Sequence, residues 1–267
     1  MTDLLVRKHA PDEHGVVTAV TPASAGWGHV GFQVQELEAG KAASGGEAGR
    51  EACLVILSGQ ADVTVGDQDF TGVGGRASVF DDQAPGAVYV PGGEAWTVTA
   101  TTRVELAVCS APSAGGRPAR RILPEQMSRE VRGTGTNTRY VRNILPETEA
   151  ADSLLVVEAV TPGGHWSSYP PHKHDTATPG EETALEETYY HRLKPPQGFA
   201  FQRVYTDDRS LDQTMSVEDG DTVLVPRGYH PVGAPHGYDL YYLNVMAGPK
   251  RQWIFRNDPA HDWLMKR

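Results

Sequence analysis

Short apolar runs separated by turn residues fill this chain from end to end. Segments rich in β-branched and aromatic residues fall at 31–37, 52–57, 61–65, 86–90 and 96–100. The second half repeats the style at 154–160, 187–193, 199–205, 222–225 and 240–246. Many runs alternate apolar and polar positions, the period of a strand with one face buried. In Glu187-Thr-Tyr-Tyr-His-Arg-Leu, alternation puts Glu187, Tyr189 and His191 on one face. Regularly spaced short strands predict an all-β chain of the barrel or sandwich kind. The stretch 123–131 reads as a short helix or connecting arm, and 111–118, rich in Ser, Gly and Pro, as a linker.

An internal repeat organises these strands. Val88-Tyr-Val-Pro-Gly-Gly93 resembles Val223-Leu-Val-Pro-Arg-Gly228, 135 residues later. Glu51 stands 136 residues before Glu187. Two landmarks at nearly equal offsets predict a duplicated barrel. The expected division is an N-terminal barrel at 1–115, a linker or arm at 116–150 and a C-terminal barrel at 151–267.

Composition narrows the function classes. The 267 residues are 39% hydrophobic, enough for a core, and 29 Gly with 19 Pro favour turns over long helices. A net charge of −10 argues against nucleic acid as a partner. An anionic small substrate would need local cations, for which Lys173, Arg203, Arg142 and Arg227 are candidates. Two cysteines, Cys53 and Cys109, lie in apolar runs and read as buried thiols, without a disulfide framework. No run approaches the ~20 apolar residues of a membrane span. The expectation is a cytoplasmic protein that contacts neither membrane nor nucleic acid.

The chemistry concentrates in the second half. His172 and His174, two apart on an expected strand, present imidazoles to one face. Glu187 opens the next strand, and His230 follows a Pro-x-Gly turn. Three neutral imidazoles and one carboxylate suit a borderline divalent ion such as Zn, Mn or Fe(II). The acidic stretch 175–186 should loop over the barrel mouth. The first barrel has no His-x-His, so Glu51 reads as structural or as a pocket group. Of the remaining histidines, His236 competes for the fourth position but sits in a loop context.

This arrangement resembles the cupins. Gly164, His172, His174, Glu187 and Gly198 follow the first cupin motif with longer spacings, and Gly220, Pro226, Gly228 and His230 follow the second. The resemblance implies a bicupin with His172, His174, Glu187 and His230 as ligands of one divalent metal ion, Glu186 being the alternative to Glu187. Longer motifs narrow the likeness: Trp166-Ser-Ser-Tyr-Pro-Pro-His-Lys-His-Asp175, the run from Pro195 to Tyr205, Val225-Pro-Arg-Gly-Tyr-His-Pro231, and the run from Tyr238 to Pro249. They are similar to those of the 5-deoxy-glucuronate isomerase group of the IolB/KduI family, over nearly the whole chain. His191 departs from that pattern, where an aromatic or apolar residue is expected.

The likeness implies an aldose–ketose isomerase acting on a small sugar acid. It would convert 5-deoxy-D-glucuronate to 5-dehydro-2-deoxy-D-gluconate in myo-inositol catabolism, with no organic cofactor. An enediol route needs a Lewis acid at O1 and O2 and a base for the C2 proton. Glu187, as a metal ligand, would be a poor base. Tyr189, His191, Lys173, Glu186 or a bound water remain open for that role, as does a hydride shift. Arg203 is the expected partner of the substrate carboxylate, and Tyr242 of its hydroxyls. A homodimer is the expected assembly. Two other readings share the scaffold: a cupin dioxygenase using Fe and O2, and a non-catalytic sugar-binding bicupin.

Overall fold

In the computed structural model, which describes residues 3–266, the chain forms five sheets and very little helix. Its contacts separate two compact units. One comprises residues 3–8, Arg129–Val141 and 158–266; the other comprises His9–Ser128 and Arg142–Val157. Among the described residues no helix is long and apolar enough to cross a membrane.

The larger sheet of the N-terminal unit has the order β11 (Arg120–Ile122), β8 (Gly86–Val90), β5 (Arg50–Ser58), β10 (Val104–Pro112), β3 (Gly31–Leu37) and β2 (Val16–Val20). Its smaller sheet runs β4 (Ala42–Gly45), β9 (Trp96–Ala100), β6 (Gln60–Val65), β7 (Gln68–Gly74). Leu54, Ile56, Val63, Val88, Val98 and Leu106 form the core of this unit. Cys53 lies opposite Cys109 across β5 and β10, and both are buried free thiols. Burial pushes the Cys53 thiol up to about 12, so it is inert.

The larger sheet of the C-terminal unit has the order β1 (Leu5–Val6), β20 (Thr222–Val225), β17 (Glu186–Lys194), β22 (Asp239–Ala247), β14 (Leu155–Thr161), β13 (Arg139–Leu145) and β12 (Arg129–Arg132). The smaller sheet runs β15 (Trp166–Ser167), β21 (Val232–Gly233), β18 (Ala200–Tyr205), β19 (Asp212–Val217), and β16 (His172–Lys173) pairs with β23 (Arg256–Asn257). The order β20-β17-β22-β14 reproduces β8-β5-β10-β3, and β15-β21-β18-β19 reproduces β4-β9-β6-β7. The repeat read from Val88 and Val223 is therefore a repeat of topology.

The register refines that repeat. Ala52 pairs with Val90 as Glu187 pairs with Val225. The counterpart of Glu187 is thus Ala52, and Glu51 corresponds to Glu186. Ala52, Leu54 and Ile56 occupy the positions that Glu187, Tyr189 and His191 hold in the other unit. The two barrels share a frame but differ in what faces the interior.

The stretch 116–150, expected as a linker or arm, carries three strands. Ile122, Val141, Ile144 and Leu145 are buried, which anchors β11 and β13. Within 123–131 only Pro124–Gln126 is helical, a single 3-10 turn, and β12 follows it. The expected linker 111–118 begins as the last two residues of β10.

Glu51 is fully buried and saturated. Its carboxylate accepts hydrogen bonds from the Tyr89 hydroxyl at 2.5 Å and from the backbone N–H groups of Asp152, Ser153 and Leu154 at 2.8, 2.6 and 2.7 Å. No acceptor capacity is left for a ligand, which supports the structural reading. Glu51→Ala strands four buried donors and should destabilise the protein by at least about 3 kcal/mol in urea unfolding.

Candidate metal centre

Three elements bring the histidines together. His172 lies on β16, opposite Asn257 of β23, and His174 follows just past the end of that strand. The loop 175–186 folds back on them: the Leu185 N–H donates to the His174 carbonyl at 2.9 Å, and the buried Glu182 carboxylate accepts from the N–H groups of Asp175 and Thr176. His230 follows the turn after β20. That turn needs a glycine at 228, where φ is +90° and a Cβ would come 2.4 Å from the Tyr205 carbonyl oxygen. The Gly228 N–H donates to Asp175 Oδ2 at 2.8 Å, and its carbonyl accepts from His230 Nδ1 at 2.9 Å.

One ligand atom from each of His172, His174 and His230 lies within 4.8 Å of the others, and all three residues are buried. Glu187 Oε2 is 3.0 Å from His174 Nε2 and 3.2 Å from His230 Nε2. Glu187 Oε1 accepts from the Asn244 side-chain amide. The Nδ1 atoms of His174 and His230 face backbone carbonyls, which can only accept. They therefore carry the ring protons, and the Nε2 atoms carry lone pairs. His230 Nε2 is buried with no hydrogen-bond donor, although the carboxylate is close. Lone pairs facing a carboxylate repel unless a cation lies among them. The donor set fits a divalent metal ion, with ring orientation set by the Leu185 and Gly228 carbonyls.

At two of the three rings the electrostatics favour the neutral imidazole that a metal ion needs. Burial drives the His172 pKa well below its ordinary value, helped by His230, His174 and Arg139. Burial also lowers His230, to about 4. At His174 burial acts in the same direction, but the bond to Glu187 outweighs it and the pKa rises.

The structure sorts the other candidates. Tyr189 and His191 do share the Glu187 face of β17, with ring centroids 5.9 Å apart, and Tyr189 lies 5.6 Å from the His230 ring. The Tyr189 hydroxyl pairs with Ser168 Oγ at 2.7 Å and the Tyr242 hydroxyl with Ser167 Oγ at 2.6 Å. His191 Nε2 pairs with Gln202 Oε1 at 2.9 Å, while Nδ1 is buried without a partner. Glu186 is on the opposite, partly exposed face of β17, and His236 is exposed.

Two expectations are corrected. Lys173 turns away from the histidines, as alternation predicts, but it is neither solvated nor near them. Its ammonium lies 2.9 Å from Asp175, 3.4 Å from Asp207 and 3.7 Å from Glu182. Burial would favour the neutral amine, but the Asp175 hydrogen bond prevails and raises the pKa, so Lys173 is a held cation rather than a base. Arg203 does share a face with Phe199 and Phe201, but it is the outer face. Gln202 turns inward, and Arg203 is paired with Asp212 through Nε at 2.7 Å and Nη2 at 2.6 Å.

Sequence reasoning missed Asn244, Gln202, Ser167, Ser168 and Arg139. Asn244 was recoverable, because it lies two positions past Tyr242 on β22. Arg139 carried no signal, since it stands in the stretch expected to be an arm. It lines a cavity of about 590 Å³ together with Arg132, Asn137, Tyr169, His172, Trp253 and Phe255.

Comparison with known proteins identifies the family. The KduI/IolB family pattern matches residues 4–264. The chain is 53% identical to a 5-deoxy-glucuronate isomerase of Geobacillus thermodenitrificans, covering 100% of this chain and 97% of that one. It is 47% identical to the enzyme of the same name from Bacillus subtilis strain 168, over 98% and 99% of the two chains. Among solved structures, an IolB-like protein from Salmonella typhimurium LT2 superposes with a TM-score of 0.96 at 51% identity, over 98% and 99%. Bacillus subtilis oxalate decarboxylase shares the fold alone, with a TM-score of 0.67 at 14% identity, over 96% and 80%. The expected bicupin architecture is thus observed. With this much identity over this much of its length, the chain belongs to the KduI/IolB family.

Proposed function

We propose that this protein is a metal-dependent aldose–ketose isomerase that converts 5-deoxy-D-glucuronate to 5-dehydro-2-deoxy-D-gluconate. One observation carries the reading: three imidazoles and the Glu187 carboxylate converge beside a cavity whose volume suits a hexose acid. The names of the full-length relatives supply the substrate. The reading includes a Zn, Mn or Fe(II) ion, a role in myo-inositol breakdown, a cytoplasmic location, a homodimer, and tandem barrels centred on 1–115 and 151–267.

His172, His174, Glu187 and His230 would hold the ion. When bound, it would supply Lewis acidity to the oxygens on C1 and C2 of the open-chain sugar. The chain's own residues donate to the oxygens of the sugar. Burial raises the pKa values of the Tyr189 and Tyr242 phenols, so both keep their protons and act as donors. Tyr189 is the nearer to the histidines and is backed by Ser168, so it is assigned the hydrogen bond to the sugar oxygen that gains negative charge as the C2 proton leaves. Asn244 and the Gly228 carbonyl hold Glu187 and His230 in position.

Four results test this reading. His230→Ala should abolish both bound metal, read by atomic emission, and loss of 5-deoxy-glucuronate, while Asn244→Ala should weaken metal binding by about 10- to 100-fold. Tyr189→Phe should retain metal and lower kcat by about 10²-fold or more. Solvent exchange of a C2 deuterium should accompany turnover; full retention would replace proton transfer with a hydride shift.

The pH dependence of stability isolates His191. Burial lowers its pKa to about 4 in the folded protein, against ~6.5 in the unfolded chain. As pH falls, the unfolded chain takes the proton first. Stability contributed by neutral His191 is therefore full above about pH 6.5 and is lost toward pH 4. Relative to wild type, His191→Gln should flatten that loss by up to about 3 kcal/mol in denaturant titrations across this window.

A further inference from the structure

Several arginines of this molecule meet carboxylates, among them Arg7 with Asp221, Arg117 with Asp152, Arg192 with Asp219, and Arg203 with Asp212. Arg139 does not. It stands half-buried at the start of β13, on the wall of the cavity that reaches His172. Its Nη1 donates to the backbone carbonyls of Asn137 at 3.1 Å and Tyr169 at 3.2 Å. Among the described residues it has no carboxylate within ion-pairing distance, and its Nε–Nη2 edge has no partner. Arg132, on the same wall, is already matched by Glu130 at 2.9 Å and lies over Trp253.

A partly desolvated guanidinium without a counter-ion is costly unless an anion completes it. The two carbonyls hold one arm of the guanidinium and leave the other edge for a planar, two-point acceptor. A chain of net charge −10 also needs such a local cation if it is to take up an anionic substrate. Trp253 and Phe255 add apolar walls to the same cavity, suited to the carbon skeleton of a sugar.

We propose that Arg139 is the carboxylate anchor, gripping C6 of the sugar acid so that its aldehyde end is delivered to the centre formed by His172, His174 and His230. The identity of the ligand rests on the isomerase reading; the assignment of an anion to Arg139 does not. Arg139 thereby takes the role that sequence reasoning gave to Arg203.

The test compares the metal-loaded full-length protein with Arg139→Gln and Arg139→Lys. Two sugars are used: 5-deoxy-D-glucuronate and the neutral 5-deoxy-hexose, whose C6 is an alcohol. Arg139→Gln should raise KM for the acid by about 10- to 100-fold. It should leave the constants for the neutral sugar little changed, so that discrimination between the two collapses. Arg139→Lys should fall between. Equal losses on both sugars would mark Arg139 as a structural clamp and overturn the proposal, as would an unchanged KM for the acid. Calorimetric titration with D-glucuronate provides a second readout, independent of turnover. If wild type fails to isomerise 5-deoxy-glucuronate, the isomerase reading falls and this arm decides alone. Weakened D-glucuronate binding in Arg139→Gln sustains the anchor; equal binding, or no binding to wild type, removes it.

Discussion

A buried carboxylate facing imidazole lone pairs is the constraint around which the C-terminal barrel is arranged. Glu187 Oε2 approaches the Nε2 atoms of His174 and His230, and carbonyls of Leu185 and Gly228 take the protons on the far side of those rings. Such a set is unfavourable when empty of positive charge and strongly favourable around a divalent ion. The surrounding geometry serves this arrangement. The turn at Gly228 sets His230, the folded-back loop 175–186 sets His174, and Asn244 sets Glu187. Lys173 belongs to the same scheme from outside, since Asp175 links its ammonium to the Gly228 N–H.

The two barrels show how a shared frame can carry different interiors. At matched registers, Ala52, Leu54 and Ile56 in one unit stand where Glu187, Tyr189 and His191 stand in the other. The first set packs into an apolar core, while the second forms a buried polar cluster with Ser168 and Gln202 as hydrogen-bond partners. Backbone pairing tolerates both because strand alternation fixes only which positions face inward. What stands at those positions decides whether a barrel is filled or functional.

Much of this was legible in the sequence. The strands at 31–37, 86–90, 96–100 and 222–225 were bounded correctly because turn residues flank each run, and His172, His174, Glu187 and His230 announced themselves by type and spacing. The failures share a cause: local pattern does not reveal long-range partners. Arg203 looked available because Asp212, which neutralises it, belongs to the next strand. Lys173 looked available as a base because Asp207 and Glu182 reach it from separate loops. Arg139 was invisible because its importance lies in the lack of a counter-ion, which only the fold exposes. The stretch 116–150 looked like an arm because Gly133, Gly135 and Pro146 interrupt its apolar runs.

Strand β1 carries a further consequence. Leu5 and Val6 complete the edge of the C-terminal sheet beside β20, and Arg7 Nη1 reaches Asp221 Oδ2 at 2.6 Å across 214 residues of chain. The Asp221 carbonyl in turn accepts from the His191 N–H at 2.8 Å. An early segment is thus an edge strand of the far half's sheet, a contact of very high sequence separation. Cutting the gene between the barrels would leave β20 as an open edge, prone to pairing with other molecules. A fusion or deletion placed before Leu5 would be felt, through Asp221, at the backbone of His191.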